Sequence, residues 1–308
     1  MRLVSSGGLL VLMILAGLLW SGRHGEISTE SGPAGFTGNT ALSEERSEAA
    51  GAHGSTSESE NDSLSGEEDA DRSGPPSVND LKNLKERFSY EVRYGRFRLG
   101  DIDVYLKQDT LVDGTEAIHM VTEMVSNHSA WLIGYRELHF HTLMAYNDTI
   151  PYSLKFWHDN IHDEKPERYV FDFDYENGVA LSYEEGELID TLELDRPADG
   201  GPVTMYYSRL FAGTDAEKSY PVYIDHGRSD MEMVFSSEKE PYESEAFPGE
   251  EFYAYQVEGV ADFDGPFGFS GEFTGYYRDD KYRIPLEARA SVWIGSVRVR
   301  LVDYERIE

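Results

Sequence analysis

The sequence predicts an all-β, mostly antiparallel domain: a meander curled into a barrel or half-barrel, with one short helix near residues 202–211. Three observations carry this expectation. Over Phe88–Leu106, Phe88, Tyr90, Val92 and Tyr94 alternate with Ser89, Glu91 and Arg93, and Ile102, Val104 and Leu106 alternate with Asp101, Asp103 and Tyr105. A period of two marks a half-buried strand. Short segments of the same kind recur almost to the end of the sequence, separated by turn residues; an antiparallel sheet that long exposes two costly edges unless it curls. Between Pro202 and Phe211 the period changes, and Val203, Tyr206, Tyr207, Leu210 and Phe211 share one helical face, with Pro202 near the first turn.

Two segments of different character precede this body. Met1-Arg2 is followed by the apolar run Leu9–Trp20, the pattern of a secretory signal, so residues 1–24 read as a signal sequence or a signal anchor. Retained, residues 4–20 are a marginal membrane tether, because a span needs ~20 apolar residues. Residues 25–80 are rich in Gly, Ser, Glu, Ala and Asp, with 13 acidic residues against Arg46 and Arg72. Such a segment buries too little apolar surface to offset the entropy of ordering it, and reads as a disordered acidic spacer. Residues 81–308 then form the β-rich domain. Asp80–Lys85 is expected to make one helical turn leading into Phe88.

The expected strands follow in order. Ile118–Val125, Trp131–Tyr135, Glu137–Met144 and Tyr152–Trp157 come first, then Tyr169–Asp174 and Val179–Tyr183, joined by Asn177-Gly178, a strong two-residue hairpin signal. Leu188–Leu194 precedes the helix. Beyond it come Tyr220–Ile224, Met231–Phe235, Phe252–Phe263, Phe269–Tyr277, Arg283–Trp293 and Ser296–Tyr304, with a turn at Asp279-Asp280.

Composition excludes several classes of function. The chain carries a net charge of −31, and residues 81–308 alone hold 45 acidic against 23 basic side chains. That surface repels phosphate backbones, so nucleic acid is not an expected partner. The acid excess, with 8 Lys against 19 Arg, suits a halophilic setting in which salt screens self-repulsion. The absence of cysteine excludes disulfides, thiol catalysis and thiolate-bound metals.

The residues that could carry chemistry are few. His139 and His141 share one face of a strand, and His158 and His162 follow nearby, a weak pattern for zinc against the simpler reading of solvent-facing imidazoles. Asp172-x-Asp174-x-Glu176 lacks the glycine and the bidentate glutamate of a calcium loop. Asp262 and Asp264 form a carboxylate pair of the sort chance supplies among 58 acids. There is no nucleophile elbow, dinucleotide fingerprint or P-loop. No cofactor and no enzymatic activity are therefore expected. The aromatic load is high, with 20 Tyr and 15 Phe. Trp131, Phe140, Phe156, Tyr206, Tyr207, Phe273 and Trp293 are candidates to line an apolar cavity under the helix. The alternative is a filled core.

Several blocks resemble a known family. Phe88-Ser89-Tyr90-Glu91-Val92-Arg93-Tyr94-Gly95 with Arg98-Leu99-Gly100, Val203–Leu210, and Tyr276–Leu286 with Gly295-Ser296-Val297 are similar to the opening, central helix and closing hairpin of the bacterial envelope family called domain of unknown function 3108. The resemblance spans about residues 85–304 and implies an exported β domain with no established activity. It supplies no functional residue. The expectation is thus an exported protein of the periplasm or cell envelope, with possible anchoring to the inner membrane through residues 4–20. It binds a lipid or other amphiphile, or serves as a scaffold for an envelope protein partner; hydrolysis of an envelope polymer is the third reading.

Overall fold

The computed structural model describes residues 74–127, 137–160, 169–224, 226–261, 271–292 and 295–307. The leader, the spacer up to residue 73 and the expected strand Trp131–Tyr135 lie outside the described residues.

A short helix α1 (Val78–Leu81) opens the domain. Ser77 caps it: its hydroxyl accepts from the Asp80 N–H while the Asp80 carboxylate accepts from the Ser77 N–H at 2.9 Å. This capping box starts the turn at Val78 rather than at the expected Asp80. Eight strands follow: β1 (Glu86–Tyr94), β2 (Phe97–Val112), β3 (Thr115–Ser126), β4 (Glu137–Tyr146), β5 (Pro151–Asn160), β6 (Tyr169–Asp174), β7 (Val179–Glu184) and β8 (Glu187–Glu193). After helix α2 (Val203–Arg209) come β9 (Glu217–Ile224), β10 (Gly227–Tyr242), β11 (Phe252–Ala261), β12 (Glu272–Arg278), β13 (Pro285–Val292) and β14 (Gly295–Arg306).

All fourteen strands belong to one sheet in the order β8-β7-β6-β5-β4-β3-β2-β1-β14-β13-β12-β11-β10-β9. Each neighbouring pair is antiparallel, and the first strand pairs with the last, Glu86 opposite Arg306 and Tyr94 opposite Val297. The sheet is an open barrel: β8 and β9 are its two edges. Alternation sets the faces as the sequence predicts. Phe88, Tyr90 and Val92 of β1, Ile102 and Val104 of β2, and Val297, Val299 and Leu301 of β14 are buried in one apolar cluster with Phe140, Phe156 and Phe171. Burying each such side chain is worth about 1.5–3 kcal/mol.

Two elements differ from expectation. Asp174 and Val179 pair directly, so the β6–β7 connection has four residues rather than two. Tyr175 turns inward there, donating to the Ser153 carbonyl at 2.9 Å, and Gly178 supplies φ +68°. Strand β10 runs on to Tyr242 through the charged stretch Ser236–Glu240, with a register shift between Phe235 and Lys239. Its residues beyond the shift are mostly exposed, so no apolar alternation marks them.

The gap between β8 and β9 is laced by the chain entering α2. The Asp199 N–H donates to the Pro221 carbonyl and the Tyr223 N–H to the Asp199 carbonyl, at 2.9 and 2.8 Å, an isolated parallel bridge onto β9. Ser153 of β5 donates to the Ala198 carbonyl at 2.9 Å. Arg228 holds Asp195 at 2.8 Å, Tyr223 donates to the Glu193 carbonyl, and Arg196 pairs with Asp230.

Candidate functional site

The concave side of the sheet is organised around α2. Every residue from Val203 to Arg209 is buried, so the helix is enclosed all round rather than laid across a mouth. Thr204, Ser208 and Arg209 each have a built partner, whereas the Tyr206 hydroxyl is buried without one. At the N-terminal end Pro202 provides no side-chain cap; Asp199, three residues earlier, does this work. Its carboxylate accepts from the N–H groups of Gly201, Val203 and Thr204 and from the Thr204 hydroxyl at 2.6 Å. The Val203 and Thr204 N–H groups are among the donors that a helix leaves open. Burial pushes the Asp199 carboxyl up to about 6, against the pull of those donors. Gly201 is required at the entrance, because a Cβ there would stand 2.1 Å from the Thr142 Oγ1.

At the C-terminal end, Arg209 and Glu86 form a fully buried, two-pronged ion pair at 2.7 and 3.1 Å. The Arg209 Nε donates to the Tyr282 carbonyl at 2.7 Å, and the Tyr304 hydroxyl donates to Glu86 at 2.7 Å. The guanidinium lies 5.2 Å from the Tyr206 ring centroid. Burial alone would lower Arg209; contact with the Glu86 carboxylate outweighs it and holds the group above its ordinary value. Tyr277 meets the Ser208 hydroxyl at 2.5 Å, and the Arg283 Nε donates to the Ala212 carbonyl at 3.1 Å. The plug is thus fastened to β1, β12 and the β12–β13 turn by polar contacts, with β14 joined to it through Glu86.

Among the described residues little space remains around it. The cavity beside α2, lined by Tyr90, Met205, Ser208, Met233, Phe273 and Tyr277 among others, measures about 50 Å³. That holds a few waters and is well below the ~300–1,000 Å³ of small-molecule sites. Phe140, Phe156, Tyr206 and Tyr207 are packed in the core, and Phe273 is the cavity-lining member of the expected set among the described residues. Trp131 and Trp293 lie outside the described residues. Among the described residues these side chains pack around α2 rather than line open space.

Of the candidate zinc ligands among the described residues, His158 does not converge with His139 and His141. His139 and His141 face outward on β4, opposite Asp159 and Trp157, whereas His158 faces inward, opposite Phe140 and Tyr169. His162 and His128, with Asp262 and Asp264, lie outside the described residues. No group of three or more His, Cys, Asp or Glu among the described residues could hold a metal ion. What forms instead is a pair the sequence did not suggest: His119 Nε2 and His141 Nδ1 approach to 3.1 Å, and His141 stacks on Trp157. Burial lowers His141 to about 4, with His119 adding to it. Asp174 accepts from the Asn177 backbone and side chain, and Asp172 pairs with Lys155 at 2.6 Å, so the acidic run at 172–176 serves a hairpin. Ser182, His226 and Glu184 line up at 2.8 and 3.8 Å, an arrangement with the elements of a nucleophile triad. The Ser182 side chain, however, is fully buried; these residues close the seam between β7 and the β9–β10 turn.

His158 gives a measurable pH response. Burial lowers it to about 4, and its Nδ1 has no partner. A depressed histidine contributes stability above its unfolded value near 6.5, and that stability is lost as the pH falls toward 4, up to about 3 kcal/mol. His158→Phe is expected to remove this acid loss. Urea titrations at pH 4 and pH 7 check it, the variant's stability at pH 4 relative to pH 7 rising above that of wild type.

The architecture defines a class: an open antiparallel meander barrel plugged by its own central helix. The family model described as protein of unknown function DUF3108 matches residues 89–302, and the chain belongs to that family. The blocks that carry the resemblance are the parts that meet at the plug: β1, α2 itself, and the β12–β13 turn. Among solved structures the chain is similar to the crystal structure of a beta-barrel-like protein of domain of unknown function DUF1849 from Brucella abortus. The TM-score is 0.48 at 11% identity, covering 74% of this chain and 100% of that one. No curated protein matches the chain.

Proposed function

We propose that this chain is a non-enzymatic, exported scaffold of the cell envelope that works through its outer surface and sheet edge rather than by carrying a ligand inside. The observation that carries this reading is the buried, polar-fastened α2, with a cavity of only about 50 Å³ beside it. The free edge supports it: β8 is exposed along almost its whole length, with Leu188 and Ile189 uncovered. An uncovered strand edge is a template for pairing with another chain. Export rests on the basic start and apolar run of residues 1–24. Among the described residues no helix is long and apolar enough to cross a membrane, which leaves residues 4–20 as the proposed tether.

The test is native mass spectrometry of the full chain purified from its own envelope fraction. The expected result is a bare protein mass. A reproducible added mass that dissociates as an amphiphile on denaturation would sink the scaffold reading and restore carriage.

A further inference from the structure

The outer face of four neighbouring strands carries a feature that a sheet ordinarily avoids. Arg98 of β2 stands opposite Arg93 of β1, Arg93 opposite Arg298 of β14, and Arg298 opposite Arg289 of β13. Four arginines therefore form one unbroken row across the sheet, in a chain of net charge −31. Like charges directly opposite each other destabilise a sheet, so the row costs stability wherever its charge is not neutralised.

Neutralisation is partial. In the next row inward Asp101, Glu91, Arg300 and Glu287 stand opposite one another. Glu91 pairs with Arg93 and with Arg98, the latter at 3.2 Å; Asp101 holds Arg98 at 2.5 Å; Glu287 pairs with Arg289 and with Arg300, the latter at 3.2 Å. Glu245 lies 3.4 Å from Arg300. Arg298 makes no ion pair among the described residues. Neither does Arg96, whose guanidinium instead lies 5.7 Å from the Phe97 ring centroid. Arg96 and Phe97 sit at the β1–β2 turn, beside a shallow open hollow lined by Tyr94, Gly95, Ser296 and Arg298. Phe97 is 62% exposed.

We propose that this rim, the β1–β2 turn with the arginine row behind it, docks onto an anionic lipid bilayer. The inference rests on reading the outer surface as the working one. Guanidinium groups supply the attraction to lipid phosphates, and the exposed Phe97, one register position nearer the turn than Arg98, enters the interface as amphipathic membrane-binding surfaces do. A soluble polyanion would use the arginines and leave the aromatic ring in water. The acidic surface elsewhere does not cancel the attraction, because salt screens charges more than about 8 Å away at physiological strength.

The experiment is co-flotation of the full chain with vesicles of pure phosphatidylcholine or of seven parts phosphatidylcholine to three parts phosphatidylglycerol. The apolar leader is common to all variants, so the difference between the two compositions reads the charge. Each arginine near an anionic surface is worth on the order of fivefold in binding. The double variant Arg96→Glu/Arg298→Glu, at two positions without ion pairs among the described residues, is expected to lose the phosphatidylglycerol preference by at least roughly 25-fold. Phe97→Ser is expected to weaken binding to the mixed vesicles without changing its salt dependence. A wild type with no preference, or a double variant that keeps it, overturns the proposal. So does full displacement by free glycerol phosphate with no effect of Phe97→Ser, which would assign the rim to soluble phosphates. None of these outcomes bears on the bare mass expected of a scaffold, so the two readings fail separately.

Discussion

Arg209→Met is expected to destabilise the domain by about 3–5 kcal/mol, because it leaves the Glu86 carboxylate buried without a counter-charge. Both side chains are completely buried, and each serves a second purpose. Arg209 satisfies the Tyr282 carbonyl and Glu86 the Tyr304 hydroxyl. One substitution therefore unfastens the end of α2 from Glu86 of β1 and from Tyr282 of the β12–β13 turn together. The measurement is the urea midpoint of the variant against wild type at pH 7. Replacing both partners, Glu86→Leu with Arg209→Met, is expected to recover much of the loss, since an apolar pair of similar volume is often no worse than a buried ion pair. A single variant within about 1 kcal/mol of wild type would contradict the account of the plug as fastened by charge.

Asp199→Ala is the second large effect, at least about 3 kcal/mol. It removes the acceptor for three backbone N–H groups and one hydroxyl, and each buried donor left unmet costs about 1–3 kcal/mol. Its pH signature runs opposite to that of His158. A carboxyl raised to about 6 binds its proton more tightly in the folded state than in the unfolded one. Its contribution is therefore fully present below about pH 4 and is lost as the pH rises through 6, about 3 kcal/mol in all. In wild type the two limbs largely offset each other between pH 4 and 6. His158→Phe is expected to expose the falling limb and Asp199→Asn the rising one. Identical pH profiles for the two variants would refute the assignment.

The alternating strands were legible because period two is a local property. Tyr169–Asp174 is read to the residue, and most other strands to within a few positions. The helix was legible too, from Val203, Tyr206, Tyr207 and Leu210. Its surroundings were not. Thr204, Ser208 and Arg209 look like the wet side of an amphipathic helix, yet their partners include Tyr277 and Glu86, the latter 123 residues away. Nothing local distinguishes an arginine facing water from one facing a buried glutamate. The histidines show the same limit. His141 and His158 are close in sequence, but a register shift between Leu143 and Met144 and the strand parity send them to opposite faces. The arginine row was invisible because it exists only across strands: Arg93 and Arg98 are neighbours in sequence, while Arg289 and Arg298 join them through the pairing of β1 with β14.

That pairing also sets a schedule. As the chain emerges N-terminus first, β1 can form its hairpin with β2 at once, but its other edge has no partner until β14 appears. At ~5–20 residues per second, more than two hundred residues take roughly ten to forty seconds. Throughout that interval a long, apolar strand edge stands open and Glu86 waits for Arg209 and Tyr304. Contacts this distant in sequence also make folding intrinsically slow. Newly made chains thus pass through a prolonged half-built stage in which the first strand is their most vulnerable part.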